Sequence, residues 1–233
     1  MGGRLRIVSA NLWNGRAHPQ AFSELVTGLE ADVVAVQEMT PEQADALAEV
    51  MPHGQLMPAR DHSGMGLATR WPVEISLIPL YTRSAPVVRL SPNDWPQLRS
   101  PLEVVNVHIF APHVVLPKLG LPARRRQIRD FERFLADEGR DSLRDSRVLV
   151  GDFNATPLWP VYRWFARRFT DAASLAAARL GRPVRPTWGP WYGAPRILRI
   201  DHGFVRGFEV EEFQVVTVRD SDHGAVVLDL RID

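Results

Sequence analysis

The residues of this 233-residue chain that are able to do chemistry stand where apolar runs end. Asn11 follows Ile7-Val8-Ser9-Ala10, Glu38 follows Val33-Val34-Ala35-Val36-Gln37, His108 follows Val104-Val105-Asn106-Val107, and Asp152 and Asn154 follow Val148-Leu149-Val150-Gly151. Such β-branched runs read as strands, and the carboxyl ends of strands in α/β sheets are where ligands bind. Two further acidic points flank strands in the last third: Asp201 in Arg199-Ile200-Asp201-His202, and Asp222 in Ser221-Asp222-His223-Gly224. Brought together, these ends form a site of Glu38, Asp152, Asp201 and Asp222 with Asn11, Asn154, His108 and His223.

Carboxylates crowded into one cleft repel and raise each other's pKa, and a divalent cation resolves that conflict. Carboxylate, amide and water oxygens suit Mg²⁺ or Mn²⁺; the cysteine and clustered histidine ligands typical of zinc are missing, since the chain has no cysteine at all. A hard cation beside histidines and amides suits the hydrolysis of phosphate esters, with a histidine activating water and a carboxylate fixing its tautomer. Each residue alone has a plainer use. Asn11 suits a strand-end cap, Glu38 a helix-leading acid before Pro41, Asp152-Phe153-Asn154 an Asx turn and Asp222-His223-Gly224 a hairpin turn. Those uses leave unexplained why every strand end carries a group suited to metal or phosphate.

The elements that must position these groups are read from periodicity. Strands are expected at Leu5–Ala10, Asp32–Val36, Val73–Leu80, Leu102–Val107, Val148–Val150, Ile197–Val205, Glu209–Val218 and Ala225–Ile232. Helices are expected at Ala21–Glu30, Glu42–Val50, Pro122–Asp137 and Trp159–Arg168. The Pro-rich segments 79–101 and 109–122 read as surface loops. The class is α/β or α+β with a mixed sheet, and no repeat or low-complexity linker divides the chain, so a single domain over 1–233 is expected.

Composition narrows the function. Hydrophobic residues at 45% and charged residues at 24% are ordinary for a globular chain. A formal net charge of +1 lacks the basic excess of a protein that grips nucleic acid mainly by charge. Lys118 is the one lysine among 28 cations, an arginine bias that reads as coding bias before phosphate recognition. No run of eighteen apolar residues occurs, and the amino terminus has no signal-peptide pattern, so a cytoplasmic location is expected, or an extracytoplasmic one if a leader has been removed.

The set Ser9-Ala10-Asn11, Val36-Gln37-Glu38, Gly66-Leu67-Ala68-Thr69-Arg70, Asn106-Val107-His108, Gly151-Asp152-Phe153-Asn154, Arg199-Ile200-Asp201-His202 and Ser221-Asp222-His223 resembles, in order and spacing, the endonuclease/exonuclease/phosphatase superfamily. Gly-Asp-Phe-Asn and Ser-Asp-His are the most specific of these segments, and the resemblance covers nearly the whole chain. It implies a four-layered α/β sandwich, two mixed β-sheets packed face to face and flanked by helices, with the active site at one edge. It implies Glu38 as principal metal ligand, Asn11 beside it and Asp222 as a further ligand or metal-water contact. It implies Asp152 and Asn154 as the pair that orients water and contacts the scissile phosphate. His223, paired with Asp201, is implied as general base or transition-state stabiliser, and His108 as a phosphate contact; the division of labour between Asp152 and His223 stays joint.

The expected substrate is a phosphoester, with DNA or RNA favoured and a lipid, isoprenoid or other small phosphoester as the alternative. Trp13, Trp159, Trp188, Trp191 and Tyr192 suit base stacking or core packing, while the apolar segment 109–122 suits a lipid surface or a loop folded on the core. No protein partner is implied and a monomer is expected. A binding module that lost catalysis would lack site residues, and all eight are present. His18, His53, His62, His113 and His202 read as surface or loop residues, and Arg124-Arg125-Arg126 with Arg129 as a solvated face. Asp61 is a candidate support for His108, as an acid is in the deoxyribonuclease branch, but stays outside the set.

Overall fold

The computed structural model describes residues 3–112, 117–137 and 146–232. In chain order its elements are β1 (Gly3–Asn11), α1 (Pro19–Gly28), β2 (Val33–Gln37), α2 (Pro41–Ala48), β3 (His53–Met57), β4 (Met65–Thr69), β5 (Glu74–Leu80), β6 (Arg83–Leu90), β7 (Leu102–His108), α3 (Pro117–Asp137), β8 (Arg147–Asp152), α4 (Pro160–Ala166), β9 (Thr170–Asp171), α5 (Ala172–Leu180), β10 (Asp201–Arg206), β11 (Glu209–Thr217) and β12 (Gly224–Ile232). They form two six-stranded mixed sheets, ordered β11-β12-β1-β2-β4-β3 and β5-β6-β7-β8-β10-β9.

Alternation along the strands sorts the side chains into layers. Leu5, Ile7, Val33 and Ala35 of the first sheet meet Val104, Val148, Val150 and Val205 of the second in one inter-sheet core. The opposite parity of the first sheet, Val8, Ala10, Val34 and Val36, packs on Phe22 and Val26 of α1 and Leu47 of α2. That of the second, Val105, Val107, Leu149 and Phe204, packs on Phe131 of α3 and Phe165 of α4. The result is the expected sandwich of helices, sheet, sheet and helices. Two half-buried ion pairs close facing strands in register: Arg6 with Asp229 across β1 and β12, and Arg147 with Glu103 across β7 and β8.

The segments expected to be loops are only partly so. Residues 79–101 contain β6, whose Pro86 sits beside the edge strand β5, and the buried Trp95 and Leu98. Ile109 is core, Pro117 to Pro122 open α3, and Leu121 is exposed. His113, Val115 and Leu116 lie outside the described residues. β3, β4, β9 and α5 went unread in the sequence because they are short or alanine-rich.

Candidate active site

Strand direction explains which residues can meet. In each sheet a central parallel pair, β1 with β2 and β7 with β8, ends at the same edge of the sandwich. The strands antiparallel to them, β4, β12, β6 and β10, therefore begin at that edge. Every strand end there contributes polar groups, and Asn11, His108, Asp152 and Asp201 continue the parity of the inter-sheet core. A buried bridge precedes them: Gln37 Nε2 donates to Asn106 Oδ1 at 2.6 Å across the sheets, and Asn106 Nδ2 donates to the carbonyls of Val36 and Gly66. Gly151 has no room for a side chain, because a Cβ would lie 1.9 Å from the Val107 carbonyl oxygen. That close approach sets Asp152 opposite His108 in register and opposite Asp201 on its other side.

All eight expected residues converge. Asp152 Oδ2 accepts from Asn11 Nδ2 at 3.1 Å and from Asn154 Nδ2 at 2.9 Å, while its Oδ1 accepts the Asn154 backbone N–H at 2.7 Å. His108 Nε2 lies 3.7 Å from Glu38 Oε1 and 3.9 Å from Asp152 Oδ2. His223 Nδ1 donates to Asp201 Oδ2 at 2.9 Å, which leaves Nε2 as its remaining ring nitrogen, 4.0 Å from Asp222 Oδ1. Asp222 Oδ2 accepts from Trp188 Nε1 at 2.9 Å, and its buried Oδ1 has no hydrogen-bond partner among the described residues. Glu38 and Asn154 both take left-handed backbone conformations, φ 56° and 47°, which are costly for residues other than glycine and concentrate at functional sites.

Burial raises the carboxyl of Asp152 to about 8, helped by the charge of Asp201. Burial alone would lower His223, but the charge and hydrogen bond of Asp201, with Asp152 and Asp222 behind it, lift the imidazole to about 10. Burial also raises Asp222. The His108 ring falls well below its ordinary value, through burial first and then the charge of Arg83.

Two site residues were missed in the sequence. His62, read as a surface residue, hydrogen-bonds through Nδ1 to Glu38 Oε2 at 2.7 Å. Its loop is pinned to residue 39 by Ala59 N–H to Met39 O at 2.9 Å and by Gly64, where a Cβ would meet the Met39 carbonyl oxygen at 2.0 Å. Arg83, at the start of β6, donates from Nη1 to His108 Nδ1 at 3.0 Å and stacks on Phe110 at 4.1 Å. A guanidinium only donates, so Nδ1 of His108 is the acceptor and its proton resides on Nε2. Asp61 does not support His108; it accepts both the backbone N–H and the hydroxyl of Ser63.

Other expectations change too. Arg124 is not on a solvated face: it is buried, and Nη1 donates to the carbonyls of Phe110 at 2.6 Å and Asn154 at 3.0 Å, tying together the loops after β7 and β8. His202 is buried on the helical side of its sheet, bonded through Nε2 to the Ala155 carbonyl at 2.8 Å, because it has the opposite parity to Asp201. The Asp201 strand is braced from below, where Arg199 grips Asp171 with Nη2 at 2.7 Å and Nη1 at 3.0 Å. Thr187 Oγ1 accepts the N–H groups of Ile200 and Asp201, each at 3.1 Å, and Ser221 Oγ donates to the Asn11 carbonyl at 2.8 Å.

The donor set fits a divalent cation. Ligand atoms of Asp152, Asp201 and His223 lie within 4.8 Å of one another, but His223 Nδ1 and Asp201 engage each other, so the acceptors left for a cation are Glu38 Oε1 and the buried Asp222 Oδ1, which has no hydrogen-bond partner among the described residues. These groups open on a cleft of about 280 Å³ walled by Trp13, Trp159, Trp188, Leu198 and Ile200.

Comparison with solved structures returns the same fold. An endonuclease/exonuclease/phosphatase from Bacteroides vulgatus superposes with a TM-score of 0.74 at 18% identity, covering 99% of this chain and 100% of that one. The human Nocturnin catalytic domain with bound sulfate gives 0.68 at 18% identity, with 97% and 94% covered. A mannosyl-6-phosphatase of Bacteroides thetaiotaomicron gives 0.70 at 17% identity, with 97% and 99% covered. A search of curated proteins by sequence found no significant match. Residues 8–223, from β1 to the last catalytic-edge histidine, match the Endonuclease/Exonuclease/phosphatase family. The chain therefore belongs to that family of phosphoester hydrolases.

Proposed function

We propose that the protein is a divalent-metal-dependent phosphodiesterase acting on nucleic acid. The observation that carries the substrate is the setting of the cleft. Its walls hold three tryptophans, Trp13, Trp159 and Trp188, set around the carboxylates of Glu38, Asp152 and Asp222. Such rings suit a substrate whose bases stack on them beside its phosphate.

A bound Mg²⁺ or Mn²⁺ would neutralise phosphoryl and leaving oxygens, held by Glu38 and Asp222 with Asn11 beside them. Asp152, aligned by two amides, takes the proton of a water that attacks phosphorus as the P–O ester bond breaks. His223, held by Asp201, presents Nε2–H to a phosphoryl oxygen, and His108, held by Arg83, presents its own Nε2–H. Asn154 keeps Asp152 and the phosphate in register.

A second reading, a lipid or other small phosphoester, is favoured by exposed aliphatic residues that adjoin cleft residues in the chain: Leu158 before Trp159, 76% exposed, and Ile197 before Leu198, 62% exposed. Parallel assays on single-stranded DNA, RNA, duplex DNA and phospholipid vesicles with Mg²⁺ or Mn²⁺ separate the two. Cleavage of a polynucleotide with steep salt dependence supports the first reading. Turnover confined to vesicles replaces it with the second.

A further inference from the structure

A second concavity of about 320 Å³ adjoins the cleft, and Asp222 is a wall of both. Trp191 and Tyr192 form its outer side and are 61% and 45% exposed. Neither ring stacks on another ring or a cation among the described residues. Their loop is a tight turn, with Ala194 N–H bonded to the Trp191 carbonyl at 3.1 Å, prolines at 190 and 195, and Gly193 at φ 81°. The floor is polar. Arg196 lies flat over Gly224, where a Cβ would meet its Cζ at 2.7 Å, and its Nη2 donates to Thr217 Oγ1 at 3.0 Å.

Resting on the phosphodiesterase reading above, we propose that this concavity is a second base subsite, formed by Trp191, Tyr192 and Arg196, so that the enzyme takes single-stranded nucleic acid with a nucleotide on each side of the scissile phosphate. A phosphodiester at the shared Asp222 wall sets one nucleoside against the tryptophans of the cleft and its neighbour against Trp191 and Tyr192. Flat π faces and a guanidinium suit a base, which stacks on aromatic rings and on arginine and offers hydrogen-bond acceptors. An acyl chain would instead take the Arg196 guanidinium and the Asp222 carboxylate out of water against hydrocarbon, which is costly. Bases reach such rings only when unstacked, hence the preference for single strands.

The test is fluorescence anisotropy with a labelled oligothymidylate hexamer, an abasic hexamer of the same phosphate backbone, and a duplex. It is run on the wild-type chain in EDTA, where nothing turns over, and again in Mg²⁺ with Asp152→Asn. The hexamer is expected to bind about tenfold more tightly than its abasic counterpart. Trp191→Ala combined with Tyr192→Ala erases that preference, Trp191→Phe retains it, and the duplex shows none. Equal binding of the two hexamers, or a preference that survives the double substitution, overturns the subsite. Binding to anionic phosphatidylglycerol vesicles that the double substitution abolishes overturns it in favour of a lipid surface. If polynucleotide is cleaved but the preference is absent, the subsite alone fails. If no oligonucleotide is bound or cleaved while a chromogenic phosphodiester is turned over, the nucleic-acid reading fails with it.

Discussion

Arg83 and His108 form a cation–imidazole pair, Nη1 to Nδ1 at 3.0 Å, in the position where an acid would have made the imidazole basic. Burial, and then the charge of the arginine, keep His108 a neutral donor, and the arginine's N–H fixes its proton on Nε2, facing Glu38 and Asp152. Removing it with Arg83→Met frees the ring and its tautomer, and kcat is expected to fall about a hundredfold, the loss typical of one transition-state donor. Because both residues act through one N–H, Arg83→Met in a His108→Ala background should cost little more. Additive losses in that double-mutant cycle would show that Arg83 acts independently.

Metal and pH should exchange as sources of stability. Asp152 holds its proton to about 8 and His223 to about 10, both above their ordinary values near 3.8 and 6.5. The folded chain thus binds protons that the unfolded chain releases, so stability is lost as pH rises, from roughly 4 to 8 for Asp152 and 6.5 to 10 for His223. A divalent cation supplies the counter-charge instead. In EDTA, Tm is expected to fall between pH 7 and 9.5, and Mn²⁺ or Mg²⁺ should raise it more at the higher pH. A Tm in EDTA that rises over this interval, or no metal effect at either pH, contradicts the arrangement.

Metal affinity should report the outer partner of Glu38. Glu38→Gln is expected to weaken Mn²⁺ binding severely in calorimetry, and His62→Ala by about 10- to 100-fold, since its ring orients the carboxylate. Unchanged affinity in Glu38→Gln removes it as the main ligand; unchanged affinity in His62→Ala leaves that contact without a role.

The brace below Asp201 should matter for folding. Arg199 and Asp171 are both buried, and Tyr162 also donates to Asp171 at 2.6 Å. Burial alone would raise Asp171, but Arg199 holds it down to about 2. Arg199→Ala leaves that carboxylate without its cation and is expected to cost about 3–5 kcal/mol in denaturant unfolding. A loss under 1 kcal/mol would mean that solvent replaces the pair.

The limits of the sequence follow from strand direction. Asn11, Glu38, His108 and Asp152 were legible because each trails a long apolar run, and Asp201 and Asp222-His223 because they precede one. His62 and Arg83 obey the same rule, standing before β4 and at the start of β6. β4 is only five residues, Met65–Thr69, inside a segment noted for its motif, and β6 was masked by the prolines around it. Once those strands are known, antiparallel pairing of Gln37 with Met65 places the His62 loop beside Glu38. Arg124 escaped because three consecutive arginines read alike, whereas on α3 only the first of them turns inward to the Phe110 and Asn154 carbonyls.

Hydrolysis of a phosphoester at the metal-loaded edge of the sandwich is tested by release of nitrophenol from a chromogenic phosphodiester. Turnover is measured against Mg²⁺ and Mn²⁺ concentration for the wild-type chain, Asp152→Asn and His223→Ala. Turnover in the wild type is expected to depend on metal and to be abolished by EDTA, with losses of about 10²–10⁴-fold in each variant and unchanged circular dichroism. Turnover that ignores metal, or variants that keep wild-type rates, would contradict hydrolysis at that edge.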